Sequence, residues 1–213
     1  MRHFILATWV ILQLSLVSCH GQSAAADPEI GGPFEDREFF GIGMPETVDA
    51  VDTCAAWYGG GQRLIVTGRI LRADGRTPAP DVILYYYHTD SSGHYPGGAG
   101  LDPRVVRHGK LRGWVKSDAA GNYAIYTMRP GTYPDRSIPA HIHPAVWEPG
   151  LPQPYYLDDF VFADDPLLTP QYREAAADRG GSGILHTVRE GRVLVARRDI
   201  VLGLHIPGYP ADR

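Results

Sequence analysis

The chain from residue 64 onward is divided into short apolar segments that are rich in β-branched residues, and turn-forming residues separate each segment from the next. Asp74-Gly75 and the run from Asp118 to Gly121 are two such turns. Short strands at intervals of roughly ten residues predict an all-β, antiparallel sandwich or barrel. The predicted strands cover residues 64–71, 82–88, 112–117, 122–128, 141–147, 156–162 and 192–204. Short helices are predicted only at 46–57 and 170–178, each followed by glycines that end it.

The composition agrees with a fold of many turns and few long helices. The 213 residues include 25 glycines and 18 prolines, a share above the usual one but below that of low-complexity sequence. The formal charge is −4, and no block of Lys and Arg occurs, which argues against a nucleic-acid partner. Two cysteines cannot form a disulfide scaffold.

The amino-terminal segment has the pattern of an export signal. A short basic start precedes an apolar run that is too short for a comfortable membrane span, which predicts a signal peptide over residues 1–18. Leu16-Val17-Ser18-Cys19 has the residue types of a lipobox, so we expect lipidation at Cys19 and anchoring at the bacterial cell envelope. The alternative is an ordinary secretory signal cleaved at 21–26. Residues 19–60 are predicted to be a tether and lead-in, and residues 61–213 the folded domain. Once Cys19 is lipidated, Cys54 has no cysteine partner, so no structural disulfide is expected.

Two histidines and two tyrosines are candidate metal ligands. His141 and His143 are two residues apart on a predicted strand, so both imidazoles project from one face. Tyr133 lies in the bend from Pro130 to Pro134, just before this strand, and Tyr95 lies in an earlier loop rich in Gly and Ser. A His-x-His pair alone also occurs on polar strand faces, and a single tyrosine is more often a core residue.

The combination of motifs in this order resembles the intradiol ring-cleavage dioxygenases, the catechol and protocatechuate dioxygenase family. The likeness extends over about residues 64–170. The motifs are Gly93-x-Tyr95, Asp118-x-x-Gly121-x-Tyr123, Thr127-x-x-Pro130-Gly131-x-Tyr133-Pro134, Pro139-Ala140-His141-Ile142-His143 and Phe162-x-x-Asp165-Pro166-Leu167.

The resemblance implies a sandwich of the intradiol type with long loops and one non-haem Fe(III) per chain. Its ligands would be Tyr95, Tyr133, His141 and His143. Phenolate is a hard anionic donor and favours the ferric ion. Catechol and O2 would be the small-molecule partners, and the ring would be cleaved between the two hydroxylated carbons to a cis,cis-muconate-type diacid. Tyr133 would leave the metal and act as base when the catechol binds.

The sequence departs from the family pattern near the substrate. Ile138 stands where family members commonly have an arginine, so we expect Arg136, or less readily Arg129, to supply a guanidinium for catalysis. Asp158-Asp159 stands where a glutamine is often found, which makes Asp159 a candidate substrate contact. Tyr87 is a second candidate substrate contact, unless it is a core residue of its strand.

Two functional hypotheses follow from these patterns. The first is an exported Fe(III) intradiol dioxygenase, which touches a membrane only through its lipid anchor. The second is a non-catalytic transthyretin-like or adhesin-like β-sandwich that binds partners. Two tyrosines and two histidines that converge on one point would favour the enzyme. A homo-oligomer is compatible with either hypothesis.

Overall fold

Two six-stranded β-sheets form the protein in the computed structural model, which describes residues 29–33 and 37–211. The first sheet contains β1 (Val51–Thr53), β2 (Arg63–Leu71), β5 (Asn122–Met128), β10 (Val188–Glu190), β11 (Val193–Arg197) and β12 (Ile200–Val201). The second contains β3 (Ile83–His88), β4 (Arg112–Lys116), β6 (His141–Trp147), β7 (Tyr155–Tyr156), β8 (Phe160–Phe162) and β9 (Ile184–Leu185). The strand orders are β1-β5-β2-β11-β10, with β12 beside β2, and β4-β3-β6-β8-β9, with β7 beside β6.

In residues 29–33 and 37–211, helical structure is confined to short segments. The α-helix α1 (Pro170–Ala175) begins after Thr169, whose hydroxyl oxygen accepts a hydrogen bond from the amide of Tyr172. Turns of 3-10 helix cover Arg37–Phe39, Ala55–Tyr58 and Pro103–His108. Within the part of the chain that the structure describes, no helix combines the length and the apolar character that a membrane crossing requires.

The main core lies between the two sheets. Residues at alternate positions of β2, such as Leu64 and Val66, are fully buried, and their neighbours along the strand are half-buried or exposed. Leu84, Tyr86 and Ile142 face them from the second sheet. This period of two is the one that packs a single face of each sheet against the other.

The predicted β-sandwich is confirmed, and the strands predicted at 122–128 and 141–147 have the observed bounds. The sheets are not purely antiparallel, because the pairs β1–β5, β2–β11, β2–β12 and β8–β9 are parallel. Each of these pairs joins segments that are far apart in the chain, so local turn patterns could not reveal them. The segments 156–162 and 192–204, each predicted as one strand, are each divided into two.

The helix predicted at 46–57 is wrong. Residues 51–53 form β1, which pairs in parallel with β5, and the amide of Cys54 continues the pairing by donating to the carbonyl of Tyr126 at 2.9 Å. Tertiary pairing overrides the local helix preference here. The folded domain therefore begins before residue 61, the boundary set from sequence. The predicted signal peptide and Cys19 lie outside the described residues.

A second apolar cluster covers the outer face of the second sheet. Phe40, Tyr85, Tyr87 and Ala145 form its buried part. The segment that carries Phe40 is fastened to this face, because the Phe40 carbonyl accepts a hydrogen bond from the Trp114 indole at 2.7 Å. Tyr87 is paired with His143 across β3 and β6, and residues directly opposite each other share a face. The two candidate histidines therefore lie on the outer face of this sheet and not in the core between the sheets.

Candidate metal centre

Strand β6 supplies the two histidines. His141 and His143 are separated by Ile142, which is fully buried on the opposite face of the strand. Strands β3 and β8 hold β6 on both sides, with Tyr87 opposite His143 and Val161 opposite His141. The positions of both imidazoles therefore follow from the register of a central strand.

The two tyrosines come from loops that lock into each other through glycines. Gly93, two residues before Tyr95, lies so close to the Thr132 carbonyl that a Cβ on it would be 1.9 Å from that oxygen. A Cβ on Gly131 would lie 2.5 Å from the Ser91 carbonyl oxygen. Gly93 also has a φ of +83°, a conformation that glycine adopts readily. The close approach of these loops brings Tyr95 and Tyr133 over the histidine strand.

The polar ends of these four side chains, the quartet Tyr95, Tyr133, His141 and His143, converge on one point. The Tyr95 hydroxyl oxygen is 2.8 Å from that of Tyr133 and 3.0 Å from His143 Nε2. The Tyr133 oxygen is 3.3 Å from His141 Nε2 and 3.5 Å from His143 Nε2, and the two Nε2 atoms are 3.0 Å apart. Donor atoms at right angles around one metal ion, with bonds of about 2.0–2.1 Å, are about 2.9 Å apart. The observed spacing therefore suits a shared metal ion.

Hydrogen bonds on the far side of each imidazole determine which nitrogen carries the proton. His141 Nδ1 is 2.7 Å from the Pro139 carbonyl oxygen, and His143 Nδ1 is 2.9 Å from Asp159 Oδ1. Both oxygens are acceptors, so in the neutral rings Nδ1 donates and Nε2 has a free lone pair. Two lone pairs that face each other at 3.0 Å repel, and a cation between them removes the repulsion.

Burial acts on the ionisation of the quartet. It raises the pKa of Tyr95 well above its ordinary value, and the hydrogen bond with Tyr133 raises it further. Burial also raises the pKa of Tyr133 against the opposing effect of the Tyr95 hydrogen bond. Burial lowers the pKa of His141, and the neighbouring His143 adds to the effect. The phenols thus remain protonated unless a metal ion supplies the positive charge that phenolates need.

The donor set fits ferric iron. Two phenol oxygens that become hard anionic ligands, together with two neutral imidazoles, suit Fe(III) better than a soft metal ion. His141, His143 and Asp159 also lie close enough to hold a metal on their own, with ligand atoms within 4.8 Å of one another. However, Asp159 contacts Nδ1 of His143, whereas Tyr95 and Tyr133 approach Nε2. Asp159 therefore hydrogen-bonds to the side of His143 that faces away from the quartet and is not itself one of the candidate ligands.

Tyr87 is packed beside the quartet, and its predicted contact with substrate stays a prediction. Its ring is 7% exposed and lies between two imidazoles, stacked on His108 at 3.7 Å and on His143 at 4.5 Å between ring centroids. Its hydroxyl is 3.1 Å from that of Tyr156. Tyr87 therefore packs against a candidate ligand. His108 and Tyr156 were not predicted, because His108 ends a short 3-10 turn and Tyr156 lies in a two-residue strand, and neither belongs to a motif.

Among the described residues, neither predicted arginine has a guanidinium hydrogen bond to the side chains of the quartet. Arg136 is exposed in a turn, with a φ of 54°, and its amide donates to the Tyr133 carbonyl at 2.8 Å. Arg129 pairs with Asp164 at 2.8 Å and lies over the ring of Phe162. The catalytic role of Arg136 stays a prediction, and Arg129 is engaged elsewhere.

A cavity of about 420 Å³ lies beside the quartet, in the size range of small-molecule sites. Asp159 and Val161 form part of its wall, and Tyr172 and Arg173 from α1 form another part. None of the quartet lines the cavity, but Asp159 contacts His143 and Val161 is opposite His141 on the same face. The predicted contact between Asp159 and substrate is compatible with this position and stays a prediction.

Two histidines from a central strand and two tyrosines from loops of a β-sandwich thus form the candidate metal centre. A family model described as Dioxygenase matches residues 49–191. The chain belongs to this family, the intradiol dioxygenases. Over 165 residues it is 32% identical to the protocatechuate 3,4-dioxygenase beta chain of Burkholderia cepacia. The aligned region covers 67% of this chain and 65% of that relative. The chain thus spans just under two thirds of that relative's length.

Solved structures show the same fold. Hydroxyquinol 1,2-dioxygenase from Pseudomonas putida DLL-E4 superposes with a TM-score of 0.54 at 26% identity, covering 85% of this chain and 68% of that one. The dioxygenase domain of a dioxygenase carbohydrate-binding protein fusion from Streptomyces sp. SirexAA-E has a TM-score of 0.50 at 22% identity. That match covers 71% of this chain and 88% of the domain.

Proposed function

We propose that the protein is a non-haem Fe(III) dioxygenase that cleaves catecholic rings between the two hydroxylated carbons, using O2. The observation that carries the proposal is the convergence of two phenol oxygens on two imidazole Nε2 atoms whose lone pairs cannot hydrogen-bond to each other. A sandwich that only binds partners has no need of such a set. The expected products are diacids of the cis,cis-muconate type.

Bound ferric iron would supply Lewis acidity and electron withdrawal from a chelated catecholate. The protein's own residues would hold the ion and manage protons. His141 and His143 would remain in place, because the sheet and their Nδ1 partners fix both rings. The backbone at Gly109 packs closely against Tyr95, since a Cβ on Gly109 would lie 3.1 Å from the Tyr95 Cβ.

Tyr133 is suited to accept a proton from the incoming catechol. It lies in an irregular loop and is half-buried, and its hydroxyl is 2.8 Å from that of Tyr95. A phenolate released from the metal in this position would regain its high pKa, because burial disfavours the charged form. It would then take a proton from a catechol hydroxyl, which is the general-base role expected from the sequence.

The catechol oxygens must reach the quartet, which does not line the cavity next to Asp159, so we propose that this cavity takes the ring substituents and not the ring itself. Its volume of about 420 Å³ exceeds that of a single aromatic ring, so large substituents could enter. Leu168 and Ile184 provide apolar wall, and Arg173 and Arg179 provide charge at its edge. Which substituent is preferred depends on the balance between these arginines and Asp159.

The test is reconstitution with ferric iron followed by an assay against a panel of catechols. We expect about one iron per chain, a broad visible band from phenolate-to-iron charge transfer, and consumption of one O2 per catechol with a ring-opened diacid as product. Product identification separates cleavage between the hydroxyl-bearing carbons from cleavage beside them. A protein that stays colourless after ferric loading would contradict the proposal.

We also propose that the protein is exported and lipid-anchored through Cys19, on the basis of the amino-terminal sequence pattern alone. In a bacterial host, Cys19→Ala should move the protein from the membrane fraction to the soluble exported fraction, because the thiol that accepts the lipid is absent. A wild-type chain that is already soluble and cleaved after residue 20 would favour ordinary secretion.

A further inference from the structure

The two imidazoles of the quartet differ in the partner behind them. The Nδ1 proton of His141 is donated to the neutral carbonyl of Pro139 at 2.7 Å, whereas that of His143 is donated to the carboxylate of Asp159 at 2.9 Å. The His143 and Asp159 side chains are 19% and 28% exposed, so solvent only partly screens the pair. A hydrogen bond to a charged acceptor is stronger than one to a carbonyl and makes the imidazole a better electron donor.

The sheet places Asp159 opposite His143. The register of β6 and β8 pairs His141 with Val161 and Ile142 with Phe160, and continuing it by one residue pairs His143 with Asp159. Gly183 supports this position, because a Cβ there would lie 2.1 Å from the Asp159 carbonyl oxygen. Asp159 is the residue immediately before β8, and the close approach of Gly183 restrains its backbone.

We propose that Asp159 is a positioning residue that sets the electron-donor strength of His143, and through it the Lewis acidity and redox potential of the ferric ion. The inference rests on the proposed iron site. Asp159 reaches the metal only through the imidazole, since it contacts the nitrogen that points away from the quartet. Its negative charge strengthens donation from Nε2, so the ion becomes less electron-poor and its ferric form is stabilised.

The chain offers a matched pair of variants. Asp159→Asn removes the charge but keeps an oxygen that can accept the His143 Nδ1 proton. Asp158→Asn makes the same change one residue away, where the carboxylate accepts a hydrogen bond from the amide of Asp178 at 2.6 Å and has no contact with the quartet among the described side chains. Asp159→Glu retains the charge and tests for rescue.

The experiment measures the visible spectrum, the Fe(III)/Fe(II) potential and the iron affinity of the ferric full-length protein, without substrate. In Asp159→Asn we expect a charge-transfer band at longer wavelength, a more positive potential and iron affinity reduced by about 10- to 100-fold, because a more electron-poor ion accepts charge from phenolate more easily. In Asp158→Asn all three should be unchanged, and Asp159→Glu should return the band toward the wild-type position.

The possible outcomes separate the inference from the function on which it rests. A wild-type protein without a charge-transfer band overturns the iron site itself. A wild-type band that Asp159→Asn leaves unmoved at full iron occupancy overturns only the role of Asp159. An equal shift in Asp158→Asn also overturns the role of Asp159, because the shift would then follow from the loss of any nearby negative charge. If Asp159→Asn does not fold, Asp159→Gln replaces it, and the same criteria apply.

Discussion

His141 and His143 approach each other to 3.0 Å at their Nε2 atoms, although the Nδ1 proton of each ring is committed to a different acceptor. The pair is therefore arranged for a cation by the polypeptide itself. Strand β6 sets the spacing of the rings, while Pro139 and Asp159 set their tautomers. Any metal that binds here meets lone pairs that are already aimed at it, which reduces the reorganisation that binding would require.

The contact between the two tyrosine loops should be sensitive to a single methyl group. Gly93→Ala would place a Cβ 1.9 Å from the Thr132 carbonyl oxygen, at a φ of +83°. We expect a loss of at least about 1–3 kcal/mol in the free energy of unfolding, together with weaker iron binding, because the Tyr95 and Tyr133 loops must separate. Urea unfolding and iron titration measure the two effects.

Gly100→Ala is the matched control for that change. Gly100 has a nearly identical φ of +78°, but nothing lies within 4 Å of the Cβ that would be added. Gly100→Ala therefore has the same backbone strain at positive φ, but its added methyl group meets no neighbouring atom. Equal losses in the two variants would mean that backbone strain, and not contact between the loops, explains the Gly93 effect.

Tyr133→Phe should separate the binding of iron from turnover. Three other donors remain, so we expect the variant to bind iron with reduced affinity, while kcat falls by about 10²- to 10⁴-fold because the proton acceptor is lost. Tyr126→Phe, on the outer face of the other sheet against Trp57, is the control and should leave kcat unchanged. Wild-type turnover in Tyr133→Phe would rule out the base role.

Arg136→Gln tests the arginine that the sequence analysis favoured. If Arg136 supplies a guanidinium to the developing charge on the ring, kcat/KM should fall by about 10²-fold with little change in iron content. Arg129→Gln is the comparison, since Arg129 is paired with Asp164 and lies 4.4 Å from the ring centroid of Phe162. It should lower stability more than turnover. The reverse pattern would transfer the catalytic role to Arg129.

The sequence predicted the parts of the fold that depend on local pattern. Strands β5 and β6 were predicted with their observed bounds because alternation and flanking turns mark them. Strand β1 was missed, because its three residues are strands only through parallel pairing with β5. No local pattern encodes a partner about seventy residues away in the chain.

The four candidate ligands could be predicted because each lies in a sequence motif. The residues that hydrogen-bond to these ligands or stack on them were harder to predict. Asp159 was singled out as a substrate contact, but its hydrogen bond to His143 depends on the register between β6 and β8. The stack of Tyr87 between His108 and His143 likewise needs the tertiary structure. Sequence spacing indicates which residues share a strand face. It does not indicate which ring a residue from outside the strand, such as His108, will stack on.

His88 provides the last prediction, which concerns acid stability. It is fully buried behind the metal centre, where Nδ1 donates to the Thr89 carbonyl and Nε2 accepts from the Thr127 hydroxyl, both at 2.7 Å. Burial lowers the pKa of His88 from 6.5 to about 4. Between these pH values the unfolded chain binds more protons than the folded one, so stability falls as the pH is lowered from 6.5 and levels off below 4.

The loss attributable to His88 is about 3 kcal/mol, which follows from the difference between the two pKa values. Urea unfolding from pH 7 to pH 4, with metal-free protein throughout, measures it. His88→Gln should reduce the slope of stability against pH, because the amide does not titrate. His94→Gln, at an exposed position, is the comparison variant. If both variants keep the wild-type slope, the acid sensitivity originates in other groups, and burial of His88 does not control it.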